Sequence, residues 1–147
     1  EQESSIRGGT ENISGIVGMG LAAKLAFKKQ NSIIKHLKVL EQYFIKNLKQ
    51  NFSKIKLNGD RKNGLPGLIS ISFPGYKSDI LMAKLDRKNI AVSNGSACNT
   101  GNIKPSSVLK AMGMNNDINM STLRFSFGKN NTIQEINYLL KSLKEII

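Results

Sequence analysis

Cysteine is almost absent from this chain of 147 residues. Cys98 is its one thiol and His36 its one imidazole, and the sequence has no tryptophan. A single cysteine excludes an internal disulfide framework, and one thiol with one imidazole provides too few ligands for a structural zinc site. Zinc ribbons and disulfide-knotted secreted proteins are therefore excluded, and we predict no metal site. One free thiol is typical of a reducing compartment, so we predict a cytoplasmic protein.

Long hydrophobic runs are also absent. The longest apolar stretch, residues 15–23, stops at Lys24, which is far short of the roughly 20 residues that a membrane span needs. The amino terminus is acidic and polar, the reverse of a secretory signal. We therefore predict no membrane partner. Because the chain begins at Glu1 and not at Met, we expect it to be a piece of a longer protein.

Acidic residues are few, and their scarcity leaves a strong positive charge. The chain has 10 acidic and 22 basic residues, a formal net charge of +12. Such a balance raises the alternative of a basic nucleic-acid-binding module. Lysines greatly outnumber arginines, however, and they are spread over every predicted helix with no aromatic and basic platform for stacking bases. The lysines are better interpreted as a solvated surface, and we predict no nucleic-acid partner.

The hydrophobic pattern predicts a single domain, 1–147, of the α/β class. Apolar residues from Ile33 to Leu48 recur at three-to-four spacing and indicate a long amphipathic helix that begins near Asn12. Alternation or short apolar runs predict strands, and further periodic segments predict helices. The predicted strands are 68–73, 90–92 and 121–127, and the later helices are 79–88, 105–112 and one that follows Thr132. One layer of sheet and one of helices accommodate this order.

Side chains that cap helices mark several of these boundaries. Thr10 or Asn12 can cap the long helix, and Ser78 can cap the helix at 79–88. Thr132 and Glu135 have the spacing of a capping box. The helix at 105–112 is predicted to begin with Pro105, whose fixed φ suits a first helical position.

Three positions are candidates for chemistry. Cys98 lies in a polar, glycine-containing loop, where a thiolate can be reached by a substrate. Arg124 lies in an apolar strand, and its guanidinium matches a carboxylate. Thr10 follows two glycines at a helix start, where backbone N–H groups and the helix dipole favour phosphate. Each has a plain alternative: an inert buried cysteine, an edge-strand charge, and an ordinary glycine turn. His36 is predicted to be exposed on the polar side of the long helix.

Several motifs in order resemble the cysteine desulfurases of the NifS/IscS-like branch, class V members of the pyridoxal-phosphate aminotransferase fold. They are QESSIRGGTEN with GIVG at residues 2–18, LP and ISFPG at 65–75, IAVSNGSAC at 90–98, KPS, VL and MG at 104–113, and LRFSFG at 123–128. The resemblance covers essentially the whole chain. It implies the small carboxyl-terminal domain of fold type I: a long N-terminal helix, then a short, mostly antiparallel sheet covered by helices.

The resemblance also implies roles. Cys98 is similar to the catalytic cysteine whose thiolate takes sulfur from L-cysteine, leaving a persulfide and L-alanine. Arg124 corresponds to the arginine that binds the substrate carboxylate. Thr10 corresponds to the threonine that reaches the phosphate of pyridoxal 5′-phosphate in the other subunit of a homodimer. The implied sulfur acceptor is a protein such as an iron–sulfur scaffold, for cluster or thio-cofactor biosynthesis.

The sequence departs from the family pattern at three points. Asn94 stands where serine or threonine is usual, and Asn99 and Thr100 follow the cysteine where Ser or Thr pairs are common. No His-Lys pair is present, so the lysine that holds the cofactor is expected in a large domain upstream of Glu1. We therefore expect these 147 residues to be inactive alone. A degenerate family member that serves as a sulfur carrier remains an alternative.

Overall fold

The computed structural model describes residues 8–94 and 105–147. Within these ranges the helices are α1 (Ile13–Asn51), α2 (Ser78–Asp86), α3 (Ser107–Ala111), α4 (Asn116–Met120) and α5 (Ile133–Ile146), and the strands are β1 (Lys56–Asn58), β2 (Leu68–Ser72) and β3 (Thr122–Ser126). The α/β class and the long first helix are confirmed. In this part of the chain no helix is long and apolar enough to cross a membrane.

The chain divides into two compact units, Glu1–Ile34 and Lys35–Ile147. In the first, the early turns of α1 expose apolar side chains, among the described residues Ile13, Ile16, Val17, Met19, Leu21, Leu25 and Phe27. In the second, Leu40, Phe44 and Leu48 of α1 are buried. The change from exposed to buried apolar residues along one helix means that only its second half contributes to the core described here.

The sheet of the second unit is antiparallel, with strand order β1-β2-β3 among the described strands. One face carries Ile69 and Ile71 of β2 and Leu123 and Phe125 of β3, all nearly fully buried. The Phe44 ring lies 5.2 Å from that of Phe125, measured between ring centroids. Period-two alternation therefore directs the apolar side chains toward α1 and leaves a polar face on the other side.

Helix α5, the last element of the chain, contributes buried side chains to the same core. Ile136, Leu139, Leu140 and Leu143 are buried at helical spacing. The predicted capping box is confirmed, since the Thr132 side chain accepts from the Glu135 N–H and the Glu135 carboxylate accepts from the Thr132 N–H. Asn12 is the observed cap at α1, where its Oδ1 accepts from the N–H of Gly15 at 3.0 Å.

Two predicted helix starts are wrong. Ser78 is the first residue of α2 and is buried, while Lys77 occupies the cap position without a side-chain bond. The serine faces the interior and so cannot cap. At α3 the cap is Ser106, whose side chain accepts from the Leu109 N–H, so Pro105 precedes the helix.

The strand predicted at 90–92 is also wrong. Asn89 adopts a left-handed conformation with φ 57°, and the N–H of Ile90 donates to the carbonyl of Leu85. This closes the end of α2 and uses a backbone group that a strand would need. Within the described residues 90–94, only Ser93 pairs with β3, through an isolated bridge to Arg124. Strand β1 and helix α4 carry no strong periodic signal and were not predicted.

Candidate functional site

A cleft of about 420 Å³ opens on the polar side of the sheet. Its lining includes residues from all three described strands or their ends, and Asn94 and Ser106 belong to it. These two residues stand before and after segment 95–104, which contains Cys98. Cys98 itself lies outside the described residues, so its predicted role stays a prediction.

Arg124 is positioned in this cleft by its place in β3 and by backbone hydrogen bonds to Ser93. It is the register partner of Ser70 in β2, and its N–H and C=O exchange hydrogen bonds with Ser93 at 2.6 and 3.1 Å. Its side chain is exposed and lines the cleft. Arg124 does lie in the last strand of the described sheet, as the edge-strand alternative requires. That alternative does not account for the cleft, or for Ser93 pairing at this one residue.

Side chains on the polar face of the sheet, beneath the cleft, are joined by a series of hydrogen bonds. Asn58 Nδ2 donates to Ser72 Oγ at 2.9 Å and to Ser70 Oγ at 3.2 Å. Ser72 Oγ lies 2.7 Å from Thr122 Oγ1, which donates in turn to the carbonyl of Ile118 at 2.7 Å. Asn58, Ser72 and Thr122 are all buried. The sequence analysis did not predict these hydrogen bonds, although Ser70 and Ser72 alternate with apolar residues in β2 and so mark its polar face.

A second arginine also lines the cleft. Arg61 forms an ion pair with Glu41 of α1 and donates through Nη1 to the carbonyl of Leu68 at 2.8 Å. The other oxygen of Glu41 accepts from the N–H of Gly67 at 2.9 Å. Glu41 lies off the apolar stripe of the long helix, yet its side chain is half-buried because it bonds both ends of the loop before β2.

Asn119 fixes the chain where it leaves segment 95–104. Its Oδ1 accepts from the Ser106 N–H at 2.8 Å, and its Nδ2 donates to the Ser106 carbonyl at 2.9 Å. Asn119 is 5% exposed and belongs to α4. An asparagine can satisfy both backbone groups of one residue in this way, so an unpredicted helix anchors one side of the cleft.

Thr10 and His36 are not among the residues that line this cleft. Thr10 belongs to the unit Glu1–Ile34, where it is exposed after Gly9, whose φ is +84°. The first turn of α1 carries no acidic residue, and a hydroxyl beside a helix start is a donor set that fits a phosphate. His36 is half-buried, and its Nε2 lies 2.9 Å from the carbonyl of Asn131, so the prediction of an exposed histidine is wrong.

Comparison with known proteins identifies the family. The family model of the class-V aminotransferases matches residues 1–139. The chain belongs to the aminotransferase class-V family. It is 38% identical to the cysteine desulfurase IscS of Dictyoglomus turgidum over 146 residues, covering 99% of this chain and 37% of that protein. It is 35% identical to the putative cysteine desulfurase IscS 1 of Bacillus subtilis, covering 100% of this chain and 39% of the relative.

Solved structures of this family share the fold. A NifS-like protein from Rickettsia africae superposes with a TM-score of 0.84 at 29% identity, covering 99% of this chain and 37% of that one. Another NifS-like protein gives a TM-score of 0.82 at 30% identity, with coverages of 99% and 36%. The chain thus spans little more than a third of the length of the relatives it matches, and it has the pyridoxal-phosphate aminotransferase fold of its family.

Proposed function

We propose that this chain is the carboxyl-terminal small domain of a pyridoxal-phosphate-dependent cysteine desulfurase. The observation that carries the proposal is the placement of Arg124 in a cleft whose lining includes Asn94 and Ser106, the residues on either side of the Cys98 segment. A carboxylate-binding group and a thiol are the two groups that this reaction needs from such a domain. Two relatives that match nearly all of this chain are named as cysteine desulfurases, one of them as putative.

Cys98 is the proposed sulfur acceptor. Its thiolate attacks the sulfur of L-cysteine, a sulfur–sulfur bond forms, and the bond from that sulfur to the substrate Cβ breaks. The electron pair stays on Cβ, which takes up a proton, so the products are L-alanine and a persulfide on Cys98. No external oxidant or reductant is needed. A protein thiol or an iron–sulfur scaffold then removes the outer sulfur.

Arg124 is the proposed anchor for the substrate carboxylate. A guanidinium donates two parallel hydrogen bonds to a carboxylate, which fixes orientation as well as position. The backbone of Arg124 is bound by Ser93 on one side, and Ser70 is its register partner in β2 on the other. A bound carboxylate would therefore be oriented relative to the chain that leads directly to Cys98, and correct orientation lowers the barrier to attack.

Pyridoxal phosphate, when bound, supplies the electron sink that stabilises negative charge on the substrate carbons. Thr10 would donate its hydroxyl to the cofactor phosphate of the other subunit. The adjoining helix start favours the phosphate through its dipole. The exposed apolar side chains from Ile13 to Phe27 support an assembled form, since apolar surface of this kind marks an interaction surface. The proposed assembly is a cytoplasmic homodimer with the cofactor-bearing domain.

The test is made on the complete enzyme that carries this chain. Cys98→Ala should abolish sulfide release from L-cysteine while the absorbance of the bound cofactor stays unchanged. Ser96→Ala, in the same segment, is the matched control and should keep the thiol chemistry. The 147-residue chain alone should release no sulfide. Sulfide release at the full rate by Cys98→Ala would refute the role given to this thiol.

A further inference from the structure

The orientation of the Asn58 amide is fixed by the hydrogen-bond chain beneath the cleft. Ile118 offers a carbonyl, which can only accept, so the hydroxyl of Thr122 must donate to it. Thr122 Oγ1 is then the acceptor for Ser72, and Ser72 in turn must accept from Asn58. Only the amide nitrogen of Asn58 can supply that proton. The nitrogen therefore faces Ser72, and the amide oxygen is on the other side.

That oxygen has no partner among the described residues. Asn58 Oδ1 is buried and accepts no hydrogen bond, and Asn58 as a whole is 5% exposed. Asn119 lines the same cleft and is equally buried, yet both ends of its amide are paired with Ser106. Buried polar atoms are nearly always paired. An amide held in one orientation with its acceptor unused indicates a partner that arrives from the cleft.

Two buried donors that line the same cleft, Arg61 Nε and Asn94 Nδ2, also lack a partner among the described residues, but the Arg61 guanidinium is already bound to Glu41 and to the Leu68 carbonyl. Arg124 is the donor that shares a row of the sheet with Asn58. Asn58, Ser70 and Arg124 are register partners in one row across the three strands. Their Cα atoms span two strand spacings, about 10 Å, which an arginine and an asparagine side chain together can bridge. The guanidinium has five N–H donors, and a carboxylate uses two of them. Donors remain for Asn58 while the carboxylate is bound.

We propose that Asn58 is a positioning residue for Arg124: when a carboxylate enters the cleft, the guanidinium donates to Asn58 Oδ1 and is held in the orientation that binds the carboxylate. This inference rests on the proposed role of Arg124 as the carboxylate anchor. It adds a contact from β1, a strand that sequence reasoning assigned no function. In this proposal Asn58 acts only through Arg124.

The first test uses steady-state kinetics of the complete enzyme with L-cysteine. Asn58→Leu keeps the approximate size of the side chain and removes the acceptor. We expect the KM for L-cysteine to rise about tenfold, because one charge-assisted hydrogen bond is lost. The kcat should change less than about twofold. Asn47→Leu is the matched control, because Asn47 is half-buried on α1 and is not among the cleft-lining residues. Its KM should equal that of the wild type.

The second test needs no turnover and uses the chain itself. The sequence has four arginines, so the ¹⁵N side-chain signals of Arg124 can be assigned by their loss in Arg124→Ala. Acetate is the probe. We expect acetate to shift the Arg124 signals in the wild type and in Asn47→Leu. In Asn58→Leu the same shift should require an acetate concentration about tenfold higher. A merely structural effect of Asn58→Leu would lower the melting temperature without changing this response.

The outcomes separate the two proposals. If Arg124→Ala raises the KM and Asn58→Leu does not, the positioning role is refuted and the carboxylate anchor stands. If Asn58→Leu lowers kcat and leaves the KM and the acetate response as in the wild type, Asn58 acts structurally and the inference fails. If Arg124→Ala leaves the KM unchanged, the anchor itself is refuted, and the role of Asn58 falls with it.

Discussion

Glu41 offers the sharpest test of how the loop beside the cleft is held. The carboxylate pairs with Arg61 and accepts from the Gly67 N–H at 2.9 Å. In Glu41→Ala the buried Gly67 N–H loses its partner, which costs about 1–3 kcal/mol. The ion pair adds about 0.5–1 kcal/mol, the upper part of the range for exposed pairs, because the two side chains are only 26% and 12% exposed. We expect a total loss of about 1.5–4 kcal/mol.

Urea unfolding of the variants measures this loss. Glu41→Gln keeps an amide oxygen that can accept from Gly67 but loses the charge, so we expect a loss of about 0.5–1 kcal/mol. Gln42→Ala, the exposed neighbour on α1, should change the unfolding free energy by less than about 0.5 kcal/mol. If Glu41→Ala were no more destabilising than Gln42→Ala, the bond to Gly67 would contribute nothing and the reasoning would be wrong.

Three further predictions concern the core, the loop and the last helix. Phe44→Ala removes a fully buried ring that lies 5.2 Å from Phe125 and should cost about 3–5 kcal/mol in urea unfolding. Gly67→Ala should destabilise by at least about 1 kcal/mol in the same assay, because φ is +81° and a Cβ would lie 3.0 Å from a backbone oxygen. In the third, the backbone hydrogen bond from Thr132 lowers the pKa of Glu135. The contribution of the ionised Glu135 side chain to folding stability is therefore complete above the ordinary glutamate pKa of about 4.3, and it is lost as the pH falls through the lowered pKa. The stability difference between wild type and Glu135→Gln should shrink over that range, and a difference that is constant with pH would contradict the capping box.

Local signals predicted the elements that are stabilised locally. The capping box at Thr132 and Glu135 and the cap at Asn12 are confirmed because each depends on residues three apart. Strands β2 and β3 were predicted from alternation to within a residue or two at each end. The strand at 90–92 failed because the left-handed turn at Asn89 directs the next N–H back to α2.

The cleft was predictable only in part. Arg124 stood out in the sequence because a charge in an apolar strand is unusual. Asn58, Arg61 and Asn119 did not stand out, because each lies in a polar stretch that reads as loop. Their functions depend on partners far along the chain: Ser72, Glu41 and Ser106. No period in a single sequence records such pairings.

The sequence by itself determined the family, through several motifs in order, and it determined that one thiol and one strand arginine were the residues to examine. It also determined the fold class, because helical and strand periodicity follow from local geometry. Only the tertiary structure decided that Arg124 shares a cleft with Asn58, and that the Asn58 amide oxygen accepts no hydrogen bond from the described residues. Antiparallel register places residues from three distant segments in one row across the sheet. Hydrogen bonds between side chains of neighbouring strands then fix the orientation of the Asn58 amide in that row.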